Sequence, residues 1–558
     1  MVRATFSGFN TALSALQANQ KRLDITGQNL SNMNTAGYTR QQLEASSLNY
    51  TNPVSHYSNG NETAVGFGVS MDRVSQIRDP YLDIQYRSQS ADCSYTNRLQ
   101  TALNSLSKVL DETTISGIRQ AFDDIQSTLT SMQDPAKVSD PIYESELRTK
   151  MQSVCNLFNQ ASRQITQAEQ NEFQRLTGEG SSEQGDVQKI NDILRQIGDL
   201  NVQIKRNQVA GHPSLELQDE RNLLLDELSG YIPVETRYYK DDTHSGNNAY
   251  DYDANGAVIG KKDWPDDLEV SMNYIDAQGK SQKLILVNGS DLGADGLTKN
   301  YGQLSMLKGD HQTAASVSDP ANISIKFEKA PSYQGNGQAA ADVYAELKGI
   351  HFEGGSLQAS LDMLQKTGTG NVINGSTAVD DVRGYQYYSE KLDQLALTFA
   401  ESMNKINNGN KNPKDQNLLS NSTDDSTTGI TAGNIGISKG WTSGTIHIST
   451  DGTNRTDTIL DMIAAMKDTK KLNGKTFADY MNNLSTQLAS DSSSNQTALK
   501  TGTTVLNSIQ DSRDSLSGVS LDEEATNMMA YVSAYNAASR LMTALDEVLN
   551  TLISNTGA

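Results

Sequence analysis

The sequence predicts a mainly α-helical protein with an inserted antiparallel β domain. Apolar residues recur at alternating steps of three and four over long stretches before residue 230 and after residue 384, the period of a helix face. Alternating strand-like runs cluster in 231–354. Proline is scarce, 10 in 558 residues, which suits long uninterrupted helices. The length suggests several domains. The charge balance, 46 Lys+Arg against 67 Asp+Glu for a net −21, disfavours a nucleic-acid partner. An apolar share of 36% is thin for this length and fits elongated helices and ribbons better than one thick core.

In the first thirty residues, Phe6, Phe9, Leu13, Leu16, Gln20, Leu23, Gly27 and Leu30 form a heptad-like seam, weak at Gln20 and Gly27. The turn-rich "SNMNTAGYTR" (31–40) ends this helix, and the chain continues extended from Tyr38. From 81 to 229 the pattern is helical almost throughout. Ile118, Phe122, Ile125, Leu129 and Met132 mark one face; Leu147, Met151, Val154, Phe158, Ala161, Ile165 and Ala168 a second; Val187, Ile190, Leu194, Ile197 and Ile204 a third. Breaks at 133–141 and 177–186 separate them, giving a long helical bundle or rod.

From 231 the period changes. "LEVSMNYI" (268–275) and "SQKLILVNG" (281–289) flank "DAQGK" as a hairpin, and 323–330 and 341–349 read as further strands. Helix resumes with Tyr388, Leu392, Leu395, Phe399, Ser402 and Ile406. A loop-rich insertion at 407–455 carries one short strand, "GTIHIST", and helix returns at 456–516.

Gly518 breaks the chain, and Ser520 to Glu523 reads as a capping box. Leu521, Ala525, Met528, Val532, Tyr535, Ser539, Met542, Leu545, Leu549 and Leu552 then mark one face of a last helix, about 50 Å long at 1.5 Å per residue. Such a helix needs its apolar face covered, so alone in water each terminal segment is expected to be largely disordered. Residues 1–48 hold four basic and two acidic side chains, 511–558 two basic and seven acidic, so the signs favour mutual pairing. The expected architecture is nested. Residues 1–48 and 515–558 form a terminal helical coiled-coil domain, 49–230 and 355–514 a discontinuous helical rod, and 231–354 a β domain projecting furthest from the ends.

No catalytic, metal or cofactor site is expected. The six histidines are scattered without metal-ligand spacing. "DYDANG" (251–256) starts like a calcium loop but has Lys262 at position twelve, so a polar hairpin turn is the better reading. "GISKG" around Ser438 matches a nucleophile-elbow pattern, yet polar loop is expected on both sides instead of strand and helix. Cys93 and Cys155 read as free thiols. No run reaches membrane-helix length, so no membrane insertion is expected, and the N-terminus lacks the pattern of a cleavable signal peptide.

The two ends resemble the bacterial flagellar axial protein family. "GFNTALSALQANQKRLDITGQNLSNMNTAGYTRQ" (8–41) is similar to its N-terminal signature, with Asn34, Thr35, Gly37, Tyr38 and Arg40 as the family turn. "SGVSLDEEATNMMAYVSAYNAASRLMTALDEVLNTLI" (517–553) resembles its C-terminus, and "KLDQLALTFAESMNKIN" (391–407) its second helical half. Ser31 and Met33 depart from the Ala often found there. The Tyr-x-Arg-Gln ending is most like the hook-associated protein 1 branch. The resemblance implies a secreted structural adaptor at the hook–filament junction of the extracellular flagellum, with no enzymatic activity. It implies type III export of unfolded subunits, an export chaperone on the C-terminal helix, and a ring of subunits assembled through the terminal helices. Its neighbours would be hook protein and the next hook-associated protein toward the filament. Two alternatives are a hook or filament subunit of the same family, and a secreted adhesin or enzyme carried by the β domain. Hook proteins carry mostly β structure after the turn, so the helical stretch 81–229 favours the hook-associated branch.

Overall fold

The computed structural model describes residues 2–48, 68–110, 117–138, 140–210, 212–240, 250–252, 258–261, 266–275, 279–289, 300–309, 313–328, 333–334, 338–339, 344–347, 351–368, 372–373, 376–377, 382–409, 416–448 and 456–556. In chain order the helices are α1 (Val2–Ser31), α2 (Pro80–Leu110), α3 (Ile118–Ser131), α4 (Pro135–Val138), α5 (Pro141–Thr177), α6 (Asp186–Val209), α7 (Leu215–Tyr231), α8 (Ser356–Gln365), α9 (Tyr385–Asn408), α10 (Lys439–Ser443), α11 (Asp457–Lys467), α12 (Phe477–Ser517) and α13 (Leu521–Thr556). The first nine strands are β1 (Gln41–Ser47), β2 (Val69–Gln76), β3 (Glu235–Lys240), β4 (Tyr250–Tyr252), β5 (Val258–Lys261), β6 (Asp266–Ile275), β7 (Ser281–Asn288), β8 (Gln303–Lys308) and β9 (Ile323–Glu328). The fold is mostly helical with small antiparallel sheets.

The helical body forms where the alternating steps of three and four lie. Helix α5 starts at an Asp140 cap, whose carboxylate accepts from Ile142 N at 2.9 Å, with Pro141 in the first turn. It ends at Gly178, whose φ of 77° is the left-handed value that closes a helix. Between them Leu147, Met151, Val154, Phe158, Ala161 and Ile165 are buried. They meet a cluster in which Phe122 lies 5.2 Å from Phe399, 5.5 Å from Phe477 and 6.0 Å from Phe158 by ring centroid. Each such ring contributes roughly 2–3 kcal/mol by burial. Helix α12 runs antiparallel along α2: Asn495 Nδ2 donates to Thr96 O, and Arg513 stacks on Tyr86 at 4.2 Å.

In the β region, β6 is central, with β7 on one edge and β3 and residues 351–352 in tandem on the other. A second sheet places β9 between β8 and residues 344–347. The core of both sheets is continuous with the helical body, and asparagines stitch them to α6. Asn191 exchanges two bonds with Leu304, at 2.7 and 2.8 Å, and Asn300 Nδ2 donates to Gly198 O at 3.0 Å. The chain leaves and re-enters the body at one point. Gly355 has φ of 86°, and a Cβ there would lie 2.4 Å from Tyr231 O. Only glycine fits so close a crossing.

Three expectations are corrected. Helix α8 departs from the expectation; Leu357 to Leu364 are all buried, including Gln358, Ser360 and Asp362, so its polar and apolar residues do not separate into an outer and an inner face. Of "GTIHIST", the described residues 444–448 are irregular and form no strand, and the insertion instead pairs Leu419–Asn421 with Ile435–Ile437. Ser438 does stand between a short strand and the short helix α10, not in loop. Its buried hydroxyl donates to Asn417 O at 2.5 Å and caps α10 by accepting from Trp441 N, a structural role. Cys93 and Cys155 are free and buried, and burial pushes the Cys155 thiol up to about 12. Strands β4 and β5 pair antiparallel around 253–257, the centre of the calcium-loop-like motif, which lies outside the described residues. Among the described residues no cluster of metal ligands occurs, and no helix is long and apolar enough to cross a membrane.

Candidate assembly site at the paired termini

Helices α1 and α13 lie against each other antiparallel. Near one end a Cβ on Gly8 would stand 3.3 Å from Leu545; further along, the Arg22 guanidinium sits 5.7 Å from the Tyr531 ring centre. The partner that each terminal helix requires is thus supplied within the chain, at least on one face.

That face differs from the predicted seam. Among the described side chains of α1, from Gly8 on, the buried residues are Ala12, Ala18, Asn19, Ile25, Thr26 and Asn29; on α13 they are Glu524 and Ala538. Of the predicted positions, Phe9, Leu16, Leu23, Leu30, Met528, Met542, Leu545 and Leu549 are half-buried. Leu13, Leu521, Val532, Tyr535 and Leu552 are exposed, as is Met529 at 67%. The side chain of Phe6 lies outside the described residues. Glycine at position 8 lets Leu545 approach the α1 backbone, while α1 also packs on the β1–β2 ribbon, where Ser14 Oγ accepts from Val69 N at 3.2 Å. Size-ranked hydrophobicity selects half-buried and exposed positions and misses Ala12, Ala18 and Ala538.

The family turn joins this pair to the body. Thr35 N donates to Asn32 O and Tyr38 N to Thr35 O, closing two tight turns. Gly37, at φ 78°, packs toward Leu223 of α7. Asn34 and Thr35 face solvent. Asn29, unnoticed in the sequence, is the knot: its Oδ1 accepts from Tyr38 Oη at 2.9 Å and Gln41 N at 3.0 Å, and its Nδ2 donates to Gln41 O at 3.0 Å. Burial, then the carboxylates of Asp219, Glu216 and Glu524, push the Tyr38 phenol up, so it remains a hydrogen-bond donor.

Arg40 reaches the other end of the chain. Its Nε donates to Glu524 at 2.8 Å, its Nη1 to Glu523 at 2.7 Å, and its backbone N to Ser517 O at 2.9 Å. The acidic first turn of α13 thus serves Arg40 as well as the helix dipole. On the body side, Thr39 N and Oγ1 donate to Asp219 of α7 at 3.1 and 2.6 Å. Arg78 pairs with Asp83 at 2.6 Å, Arg87 with Asp226 at 2.8 Å, and Arg513 with both carboxylates at 3.1 and 2.7 Å. Burial opposes the charge on Arg78, but Asp83, Asp226 and Asp219 hold its pKa above the ordinary value. A cleft of ≈ 800 Å³ opens beside this network, lined by Met33, Tyr38, Arg40, Leu223, Arg513 and Val519 among others. The arrangement ties a helix pair to a body through hydrogen bonds and ion pairs.

Known proteins share these parts. The model of the flagellar hook-associated protein FlgK helical domain matches residues 103–416, that of the flagella basal body rod protein 9–39, and that of the flagellar basal body rod FlgEFG protein C-terminal 512–555. The chain is 29% identical over 570 aligned positions to flagellar hook-associated protein 1 of Bacillus subtilis, covering 99% of each. It is 28% identical to flagellar hook-associated protein 1 of Salmonella typhimurium over 44% of this chain and 41% of that one. The hook junction protein FlgK of Burkholderia pseudomallei superposes with a TM-score of 0.36 at 18% identity, over 61% of this chain and 45% of that one. With the FlgK model spanning more than half of its residues, the chain belongs to the flagellar hook-associated protein FlgK family.

Proposed function

We propose that this chain is a structural adaptor subunit joining the flagellar hook to the filament in the extracellular flagellum. Residues 1–48 and 515–558 act as its assembly unit and 49–230 with 355–514 as its rod. The observation that carries the reading is the state of the termini. Where the rod buries a large aromatic and aliphatic core, α13 buries only Glu524 and Ala538 and leaves Leu521, Met529, Val532, Leu541 and Val548 more than 40% exposed. Apolar rows on a helix that is covered on only one side suit contacts with neighbouring subunits. The subunits are proposed to add as a ring, lying between hook protein and the next hook-associated protein.

Before assembly, subunits leave through the flagellar type III export apparatus, with the same α13 rows held by an export chaperone. Terminal helices that depend on each other and on neighbours for burial suit a chain that must be threaded and then folded in place. The role is structural and not catalytic. The continuous core between the β region and α6 speaks against an independent binding module there.

Deleting 521–558 tests the reading. The truncated protein should be soluble and keep the helical body, yet fail to restore filament attachment in a strain lacking its own junction protein. Truncated protein that still restores it, or a body that unfolds with the deletion, would count against the proposal.

A further inference from the structure

Helix α12 carries its charges against its own dipole at both ends. The turn that leads into it, 467–475, reads "KDTKKLNGK", four lysines to one aspartate in a chain of net −21. Near its other end stand Asp511 and Asp514, and its last turn holds no basic residue. A helix dipole favours the reverse, acids at the N-terminus and bases at the C-terminus. The chain does little to compensate either set. Lys471 and Lys475 reach the neutral Ser402 and Asn483, at 2.9 and 2.5 Å. Asp479 in the first turn is held by the Thr476 hydroxyl at 2.7 Å. Among the described residues, none of the four lysines, nor Asp511 or Asp514, is in an ion pair.

The two ends lie about 60 Å apart, 41 helical residues at 1.5 Å each. The lysine turn is preformed. Asn473 and Gly474 take left-handed φ of 51° and 86°, Gly474 N donates to Thr469 O at 2.8 Å, and Leu472 is buried beneath. Lys467, Lys470 and Lys471 are exposed on it. At the other end is the ≈ 800 Å³ cleft between the turn 33–40, α7 and the last residues of α12. Its lining includes Leu223 and Met33, 46% and 41% exposed. Glu220 and Glu227 flank Leu223 on the outward face of α7, and Asp514 lines the facing wall. An apolar floor inside an acidic rim fits lysine, whose methylene stem covers apolar surface while its ammonium group stays at the edge.

We propose that the lysine turn 467–475 of one copy docks in this cleft of a second copy. Its stems lie on Leu223 and Met33, and its ammonium groups meet Glu220, Glu227 and Asp514. The contact answers, at both ends of α12, the charges that its dipole leaves uncompensated. Between parallel copies it is heterologous and adds subunits in one direction, each offset from the last by about the length of α12. It deepens the adaptor reading, on which it rests, by naming a surface between copies other than the α13 rows.

The test mixes two full-length chains, one carrying Lys470→Cys and the other Glu220→Cys, both at exposed positions, the native cysteines being buried. A short bis-maleimide joins copies that meet there. Linked pairs should form, and should fall about tenfold between roughly 0.05 and 0.5 M salt. Lys470→Cys mixed with a chain carrying Gln496→Cys, exposed midway along α12, sets the background. Adding Lys467→Glu and Lys471→Glu to the first chain should lower the yield about tenfold, and so should adding Glu227→Lys and Asp514→Lys to the second; mixing the two altered chains should restore it. A Lys470–Glu220 yield no higher than the Gln496 background overturns the proposal without any charge variant. So does a charge exchange that fails to restore linkage. So does protection of the Glu220→Cys thiol by hook protein and not by a second copy, which would give the cleft to that neighbour. Failure here with filament attachment intact removes this contact alone; a wild-type chain that does not restore attachment removes the adaptor reading.

Discussion

The rod and the paired termini are both antiparallel helix assemblies, yet they are held by opposite means. In the rod, Phe122, Phe158, Phe399 and Phe477 are at most 1% exposed, and apolar burial does the holding. At the termini the deepest groups are small or polar: Ala12 and Ala18, then Asn29 with its three bonds and Glu524 with Arg40. Their large apolar side chains stand at the rim. A subunit that spends its hydrophobic surface inside is stable alone; one that leaves it outside is specified by hydrogen bonds and keeps that surface for a partner.

The contrast can be broken most forcefully in the rod. Phe122→Ala should lower the unfolding free energy of the full chain by about 3–5 kcal/mol, read by urea denaturation, because the cavity it leaves cannot collapse among three other rings. A loss below about 1 kcal/mol would mean that the cluster is not tightly packed. Asn29→Ala attacks the polar knot instead. It strands Gln41 N, Gln41 O and the Tyr38 hydroxyl, at a cost of about 2–3 kcal/mol. The loss should be local: amide exchange should accelerate across 29–48 and leave α5 and α9 unchanged.

Asp219 sharpens the comparison through pH. Burial holds its carboxyl at about 6 in the fold, above the ordinary value of 3.8. A raised pKa contributes stability that is complete below about pH 4 and is lost as pH rises through about 6. The shift corresponds to on the order of 2–3 kcal/mol. Asp219→Asn should therefore gain on wild type at neutral pH by that amount in thermal unfolding of the joint, and not at pH near 4. The smallest effect belongs to the rim: Met529→Ser should change monomer stability by less than about 0.5 kcal/mol. Its consequence should appear in filament attachment, and an equal loss in the monomer would show that the row is already covered there.

Most of the fold was readable from periodicity. The face Ile118, Phe122, Ile125, Leu129, Met132 is buried as its spacing requires, and Val187, Ile190, Leu194, Ile197 and Ile204 likewise. The hairpin of β6 and β7 followed from two alternating runs around "DAQGK". Helix α8 escaped because a helix buried on all sides has no contrast between faces. The pair Leu419–Asn421 and Ile435–Ile437 escaped because three-residue strands are too short to display a period.

The turn motif was visible as Asn34, Thr35, Gly37, Tyr38 and Arg40, but not what the residues do. Arg40 lies 483 and 484 positions from its carboxylate partners, and Thr39 180 from Asp219. Local sequence determined which segments are helical, that both ends are amphipathic, and to which family they are similar, since these depend on spacing between near neighbours along one chain. Only the tertiary structure decided which side of each terminal helix faces inward, because that choice rests on how closely two backbones can approach and on single hydrogen bonds between residues hundreds of positions apart.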